Sequence, residues 1–121
     1  MNNREDNTNS IHPDIGRSLS YEAGRRAVLD CILSFWTHTD DQPVILDHGT
    51  IERDFGWMFF WQSKRAIDGE RGRRLIGNGP IIVNRFDGSI CRCGTGSTSE
   101  FYLDRYGAAS PTERATMQFI P

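Results

Sequence analysis

The sequence predicts an α+β domain in which helices pack on one face of a largely antiparallel, four-stranded sheet. One segment has apolar residues at helical spacing, another is apolar on both alternating faces, and two short apolar runs are joined by Asp87-Gly88. The predicted order is helix, two strands, loop, two strands and helix, which is an α+β arrangement. A chain of 121 residues suits one such domain rather than two.

The first predicted element is an amphipathic helix from about residue 20 to residue 36. Its apolar residues recur at spacings of three and four, and charged residues occupy its other side. Ser18 or Ser20 can cap the start by accepting from backbone N–H groups without helical partners. Residues 1–17 are polar and are predicted to form a flexible arm.

The segment Phe55–Gln62 predicts a central strand that is buried on both faces. Gly56 marks a place where the chain approaches another element closely or bulges. A preceding strand is predicted from Val44 to Leu46. The predicted faces of the central strand are Phe55, Trp57, Phe59 and Trp61 on one side, and Met58 and Phe60 on the other.

The segment 63–79 is charged and glycine-rich, which predicts a short helical turn followed by a surface loop. Two further strands, Pro80–Asn84 and Ser89–Thr95, form a predicted hairpin that places Ile90 opposite the two neighbouring cysteines.

A last helix is predicted to follow the hairpin. Ser97 and Glu100 fit a capping box at its start, and Gly107 is expected to end it. Residues 108–121 are predicted to be a tail, or a strand if something pairs with them. The domain is therefore predicted to span residues 18–107.

Composition excludes several classes of function. The formal net charge of −2 and pI of about 5.9 predict no electrostatic binding of nucleic acid. No apolar run reaches the length of a membrane span, and MNNREDNTNS lacks the apolar segment of a secretion signal, so a cytoplasmic location is expected. Asp54-Phe55-Gly56 matches the magnesium-binding signature of protein kinases, but the other kinase motifs are missing.

The candidate chemical groups are few, and neither catalysis nor a cofactor is predicted. Cys91 and Cys93 would lie on the same face of one strand, and one alternative is that Cys31 and His48 complete a tetrahedral metal site with them. Cysteines more commonly pack as small apolar residues, which is the favoured interpretation. Other pairings, such as a cysteine with a histidine or Asp47 with Glu52, are weaker still.

Two charged segments and one tryptophan are the predicted partner-binding residues. The acidic segment would attract a basic partner, and the basic loop could bind an acidic surface or a second copy of the chain. Trp61 either belongs to the core, which is favoured, or emerges as an interface anchor. The predicted partner-binding residues are Asp40, Asp41, Asp47, Glu52, Asp54, Trp61, Arg71, Arg73 and Arg74.

An ordered set of turn glycines and core aromatics runs through residues 20–106. Its members are Asp54-Phe55-Gly56-Trp57, Phe60, Ser63, the run Gly77-Asn78-Gly79-Pro80-Ile81-Ile82-Val83, Asp87-Gly88, Gly94-Thr95, Glu100, Tyr102 and Tyr106. Together they resemble the immunity protein 35 family, whose members are small bacterial proteins encoded beside polymorphic toxins.

The resemblance implies a protein that binds and neutralises a cognate toxin domain and so protects the producing cell. It supplies no catalytic residue, and the toxin active site would be either plugged or blocked from beside it. The same domain occurs in a small heat-associated protein with a proposed chaperone role. A chaperone or homodimeric interaction module without catalysis is therefore the alternative.

Overall fold

The structure is a computed structural model that describes residues 18–120, and it contains an antiparallel sheet between two helical layers. The four-stranded sheet has the order β2-β3-β5-β6, and a two-stranded sheet pairs β1 with β4. The predicted α+β class is confirmed. The elements are α1 (Tyr21–Phe35), β1 (Pro43–Ile45), β2 (Ile51–Arg53), β3 (Gly56–Phe59), β4 (Trp61–Ser63), α2 (Lys64–Ile67), β5 (Ile81–Asn84), β6 (Ile90–Arg92), α3 (Ser99–Ala108) and α4 (Pro111–Arg114).

Strand β3 is central and buried on both faces, as predicted. It lies between β2 and β5, with Trp57 opposite Val83 and Met58 opposite Ile82. Trp57 belongs to the core cluster under α1, whereas Met58 belongs to the cluster under α3. Because each buried aromatic or aliphatic side chain contributes roughly 1.5–3 kcal/mol, a helical layer on either side is strongly favoured.

The prediction that the helices share one face of the sheet is wrong. Helix α1 packs Val28 and Ile32 against one face, and α3 packs Leu103 and Tyr106 against the other. The approach of α1 is close, since a Cβ at Gly24 would lie 3.0 Å from the Trp57 ring. A strand that is apolar on both faces needs a cover on both, which is the physical reason for the three layers.

Gly56 changes which face its neighbour occupies. Its φ of +147° is a conformation that residues with a side chain rarely adopt, and an added Cβ would lie 1.9 Å from the Val83 carbonyl oxygen. Phe55 consequently packs with Met58 under α3, and not with Trp57 as strict alternation predicts.

The predicted strand Phe55–Gln62 is divided at Phe60 into β3 and β4, which have different partners. Strand β3 pairs with β2 and β5, whereas β4 pairs with β1, with Ile45 opposite Trp61. The Phe60 carbonyl accepts from the Leu46 N–H at 2.8 Å, so the chain stays bonded across the break. The second sheet places β4 beside the end of α1.

Helix α3 begins and ends one residue later than predicted. Thr98, not Ser97, is the N-cap and accepts from the Phe101 N–H at 3.1 Å. The helix continues through Gly107 to Ala108. Glu100 does not complete the predicted capping box, because with Thr98 as the N-cap it lies at N2 and not at N3. Its carboxylate pairs with Arg53 at 3.2 Å instead.

The segment that follows α3 packs on the domain. Ser110 and Glu113 form a capping box at the start of α4. The Gln118 side chain accepts from the Arg92 N–H at 2.9 Å and donates to the Ile90 carbonyl, and the Phe119 N–H donates to the Arg92 carbonyl at 3.0 Å. Residues 118 and 119 therefore pair with β6, as a strand there would. The predicted arm, 1–17, lies outside the described residues.

We expect Gly56→Ala to lower the free energy of unfolding by about 3 kcal/mol, because the new Cβ meets the β5 backbone and the backbone angle becomes strained. The measurement is urea denaturation followed by tryptophan fluorescence. Gly96→Ala is the control, since nothing lies within 4 Å of its added Cβ, and its effect should stay within about 0.5 kcal/mol. Equal stability of the two variants would contradict this role of Gly56.

Candidate partner-binding surface

An apolar groove of about 200 Å³ opens where the C-terminal end of α1 meets the 75–79 loop. Phe35 and Trp36 form its helical wall, Trp61 lies at its floor, and Leu75 and Ile76 form the loop side. Arg92 of β6 also lines it. The groove is smaller than the roughly 300–1,000 Å³ that is typical of small-molecule sites, so its size suits a protruding side chain.

Three hydrogen bonds hold the 75–79 loop against β4. The Trp61 Nε1–H donates to the Gly79 carbonyl at 3.0 Å, and the Asn78 amide donates to the Trp61 carbonyl at 2.6 Å. The buried Gln62 amide oxygen accepts from the Leu75 N–H at 2.7 Å. Because both ends of the loop are bonded to one strand, its rim is pre-organised rather than ordered on binding.

Trp61 is a core residue, as the favoured interpretation predicted, and it is not the exposed anchor of the alternative. Its side chain is 8% exposed, and its ring lies 5.8 Å from Phe35 and 6.4 Å from Trp36, measured between centroids. The Nε1–H is satisfied within the molecule by Gly79. Trp61 therefore supports the groove from below and offers a partner little surface of its own.

Ile76 is the most exposed large apolar side chain of the groove lining. It is 96% exposed, while its neighbour Leu75 packs against the core cluster under α1. Sequence reasoning did not identify Ile76, because it treated the whole loop as charged surface. The available signal was an apolar pair, Leu75-Ile76, directly after a basic run.

The predicted acidic and basic segments neutralise each other in an ion-pair network. Asp40 pairs with Arg73 at 2.7 Å and with Arg65 at 2.9 Å, and Glu70 pairs with Arg65 at 2.8 Å and with Arg73 at 3.0 Å. Hydrogen bonds from Arg73 lower the pKa of the Asp40 carboxyl, and those from Arg65, followed by Arg73, lower the pKa of the Glu70 carboxyl. Asp40 and Arg73 are thus not on opposing surfaces, and they stabilise the loop together.

Asp41 and Asp47 lie near opposite ends of α1. The Asp41 carbonyl accepts from Trp36 Nε1, just after the helix ends, whereas the Asp47 carboxylate accepts from Tyr21 at 2.6 Å and Arg25 at 2.7 Å in its first turns. A helix of 15 residues spans about 22 Å. The predicted acids therefore do not form one continuous patch.

The remaining predicted charges divide into paired and unpaired groups. The Glu52 carboxylate accepts from Arg85 at 2.6 Å. Asp54, Arg71 and Arg74 are exposed and make no ion pair within residues 18–120. The two arginines lie just before the loop side of the groove in the chain, since Arg74 precedes Leu75.

The suggested cysteine–histidine metal site is not assembled. Cys91 and Cys93 are buried under α3, whereas Cys31 packs with the cluster under α1 on the other face of the sheet. Within the described part of the chain, no three His, Cys, Asp or Glu side chains are grouped as metal ligands would be. The Cys91 thiol, together with burial, raises the pKa of Cys93, so that side chain stays a thiol at neutral pH.

Comparison with known proteins places the chain in a family. The family model described as Immunity protein 35 matches residues 23–109. The chain belongs to the immunity protein 35 family. The match includes α1, both sheets, the 75–79 loop and α3, so every element around the groove except the C-terminal segment lies within the family domain. Proteins of this family are generally not catalytic.

One curated relative extends the comparison. The chain is 34% identical over 68 residues to the Uncharacterized protein YrhB of Escherichia coli (strain K12), which covers 54% of this chain and 70% of that protein. No solved structure matches the chain significantly. Of the helices in residues 18–120, none is long and apolar enough to cross a membrane.

We expect Arg73→Gln to raise the pKa of both Asp40 and Glu70, because Arg73 donates to both carboxylates. In the wild type the pKa values of both carboxyls are lowered. The pairing therefore stabilises the fold fully at pH values above the ordinary carboxyl pKa. This stabilisation is lost as the pH falls through the lowered pKa values. An NMR titration that follows the side-chain carboxyl signals measures both pKa values. Asp47, whose pKa Arg25 and Tyr21 lower, is the internal control and should not change. Unchanged values for Asp40 and Glu70 would contradict the network.

Proposed function

We propose that this protein binds a cognate toxin domain and neutralises it through the groove and the 75–79 loop. The observation that carries the proposal is the exposed Ile76 on the rim of an apolar groove, in a chain that belongs to an immunity protein family. An isolated apolar side chain on a surface needs no explanation, but one beside an aromatic-lined groove is typical of a binding site.

The hydrogen bonds to β4 support this choice of surface. A loop that is already fixed loses less conformational entropy when it binds than a loop that must become ordered. Trp61, Asn78 and Gln62 provide these bonds from positions inside the protein. The partner would therefore meet a rigid rim whose apolar tip is Ile76, a residue that Arg71 and Arg74 precede in the chain.

The proposed mechanism is steric. The rim either enters the toxin active site or covers its substrate path from a neighbouring position, and no bond in the toxin is made or broken. Of the residues predicted from sequence, Arg71 and Arg74 remain proposed direct contacts because they are exposed and lie close to Leu75 in the chain. Asp40, Asp41 and Arg73 are proposed to act by holding the loop. Asp47, Glu52 and Asp54 lie outside the groove lining and are proposed as peripheral contacts at most.

Co-purification tests the proposal directly. The tagged protein is expressed with the C-terminal toxin domain encoded beside it, and the stoichiometry of the complex and the growth of the cells are measured. A stable one-to-one complex with rescued growth is the expected result. A well-folded protein that neither binds nor rescues would refute toxin neutralisation. If it then suppressed aggregation of unrelated clients, the alternative function as a chaperone would replace it.

We expect Ile76→Ser to weaken the toxin complex at least about tenfold, or about 1.4 kcal/mol, because the rim loses its exposed apolar tip. Stability should change by less than about 0.5 kcal/mol, since the side chain is almost fully exposed. Calorimetric titration and thermal unfolding measure the two quantities. Phe86→Ser, another exposed apolar residue that does not line the groove, is the control and should bind like the wild type. An equal loss of affinity in both variants would exclude a specific role for this rim.

A further inference from the structure

We infer that the groove accepts an acidic segment of the toxin that carries one apolar or aromatic side chain between carboxylates. This inference rests on the proposed function and specifies the chemistry of the partner. Of the charge pairings that the sequence left open, it favours an acidic partner surface over a basic one. Arg92 keeps its charge available at the groove once the intramolecular pairs of the described residues are formed.

The interior of the groove selects an apolar side chain. Its walls are provided by Phe35, Trp36, Trp61 and Leu75, and the indole nitrogens of both tryptophans already donate to backbone carbonyls. An entering side chain thus meets ring faces and aliphatic carbons and has no indole donor left to satisfy. Burial of such a side chain is the main favourable contribution expected there.

An arginine lines the groove. Arg92 makes no ion pair within the described residues, whereas the carboxylates of Asp40 and Glu70 are occupied by two other arginines. That network contains two positive and two negative side chains and so contributes no net charge. No carboxylate of the described residues lines the groove, so Arg92 is the charged side chain that an entering group meets there, although the formal charge of the whole chain is −2.

Arg92 contacts an aromatic ring of the groove and also carries a positive charge. Its guanidinium lies 4.3 Å from the centroid of the Phe35 ring and lines the groove. Stacking on the ring holds the plane of the guanidinium and leaves N–H groups at its edge to donate to a carboxylate. An acidic residue next to an inserted apolar side chain would meet this edge in a charge-assisted, bidentate arrangement.

The first test uses defined peptides and the full chain. One short synthetic peptide has a single Phe flanked by Asp and Glu, a second replaces the acids with Asn and Gln, and a third keeps the acids but replaces Phe with Ala. NMR signals of the Trp36 and Trp61 indoles report on the groove. We expect the first peptide to bind at least about tenfold more tightly than either of the others, with an affinity that falls as salt is added.

Two outcomes of the peptide test would overturn the inference. One is equal binding of the acidic and neutral peptides, which would leave an apolar groove without charge selection. The other is a concentration-dependent shift of the two indole signals without peptide, which would assign the groove to a second copy of the chain. Either result would leave toxin neutralisation itself untouched.

The second test uses the toxin domain and matched charge variants. The rim variant Arg92→Gln removes the charge that lines the groove, and the control variant Arg105→Gln removes an exposed charge that stacks on Phe101 and does not line the groove. We expect the rim variant to weaken the toxin complex about tenfold and to reduce its salt dependence, while the control variant binds like the wild type. Equal affinities of the rim and control variants would overturn the inference. If even the wild type does not bind the toxin, the proposed function fails, and the peptide test still decides the chemistry of the groove.

Discussion

The burial of β3 on both faces is the constraint on which the rest of the structure depends. Trp57 and Met58 point to opposite sides, so the sheet needs α1 on one side and α3 on the other. The close approach of α1 at Gly24 brings the end of that helix, with Phe35 and Trp36, to the edge of the sheet. The division of the long strand at Phe60 then places β4 beside it, and the groove lies between them.

Charge acts at this surface through its arrangement and not through its total. Asp40, Asp47 and Glu52 of the acidic segment and Arg73 of the basic loop are paired within the molecule, where each exposed pair contributes little to stability. A partner meets the charges that remain unpaired. A slightly acidic protein can in this way present an arginine in its groove, and its pI is a poor guide to the charge of its partner.

The parts of the fold that could be predicted from sequence are those governed by local pattern. The limits of α1 follow from spacing and the Ser20 cap, and the central position of β3 follows from its two apolar faces. Long-range pairing could not be predicted, because Asp40 and Arg73 are 33 residues apart and either could have met solvent. The face of Phe55 depends on the backbone angle at Gly56, and the exposure of Ile76 depends on how Leu75 is bonded to Gln62.

The C-terminal segment has a consequence for the behaviour of shortened chains. The side-chain amide of Gln118 makes hydrogen bonds to β6 that the backbone of a neighbouring strand would otherwise make. Phe119 packs beside Tyr102 over the cluster that contains both buried thiols. The family match ends at residue 109, before this segment begins. A protein trimmed to that boundary would leave the hydrogen-bonding groups of β6 open, which invites edge-to-edge association between molecules. It would also uncover part of the cluster around Cys91 and Cys93, so oxidation of these thiols would become easier.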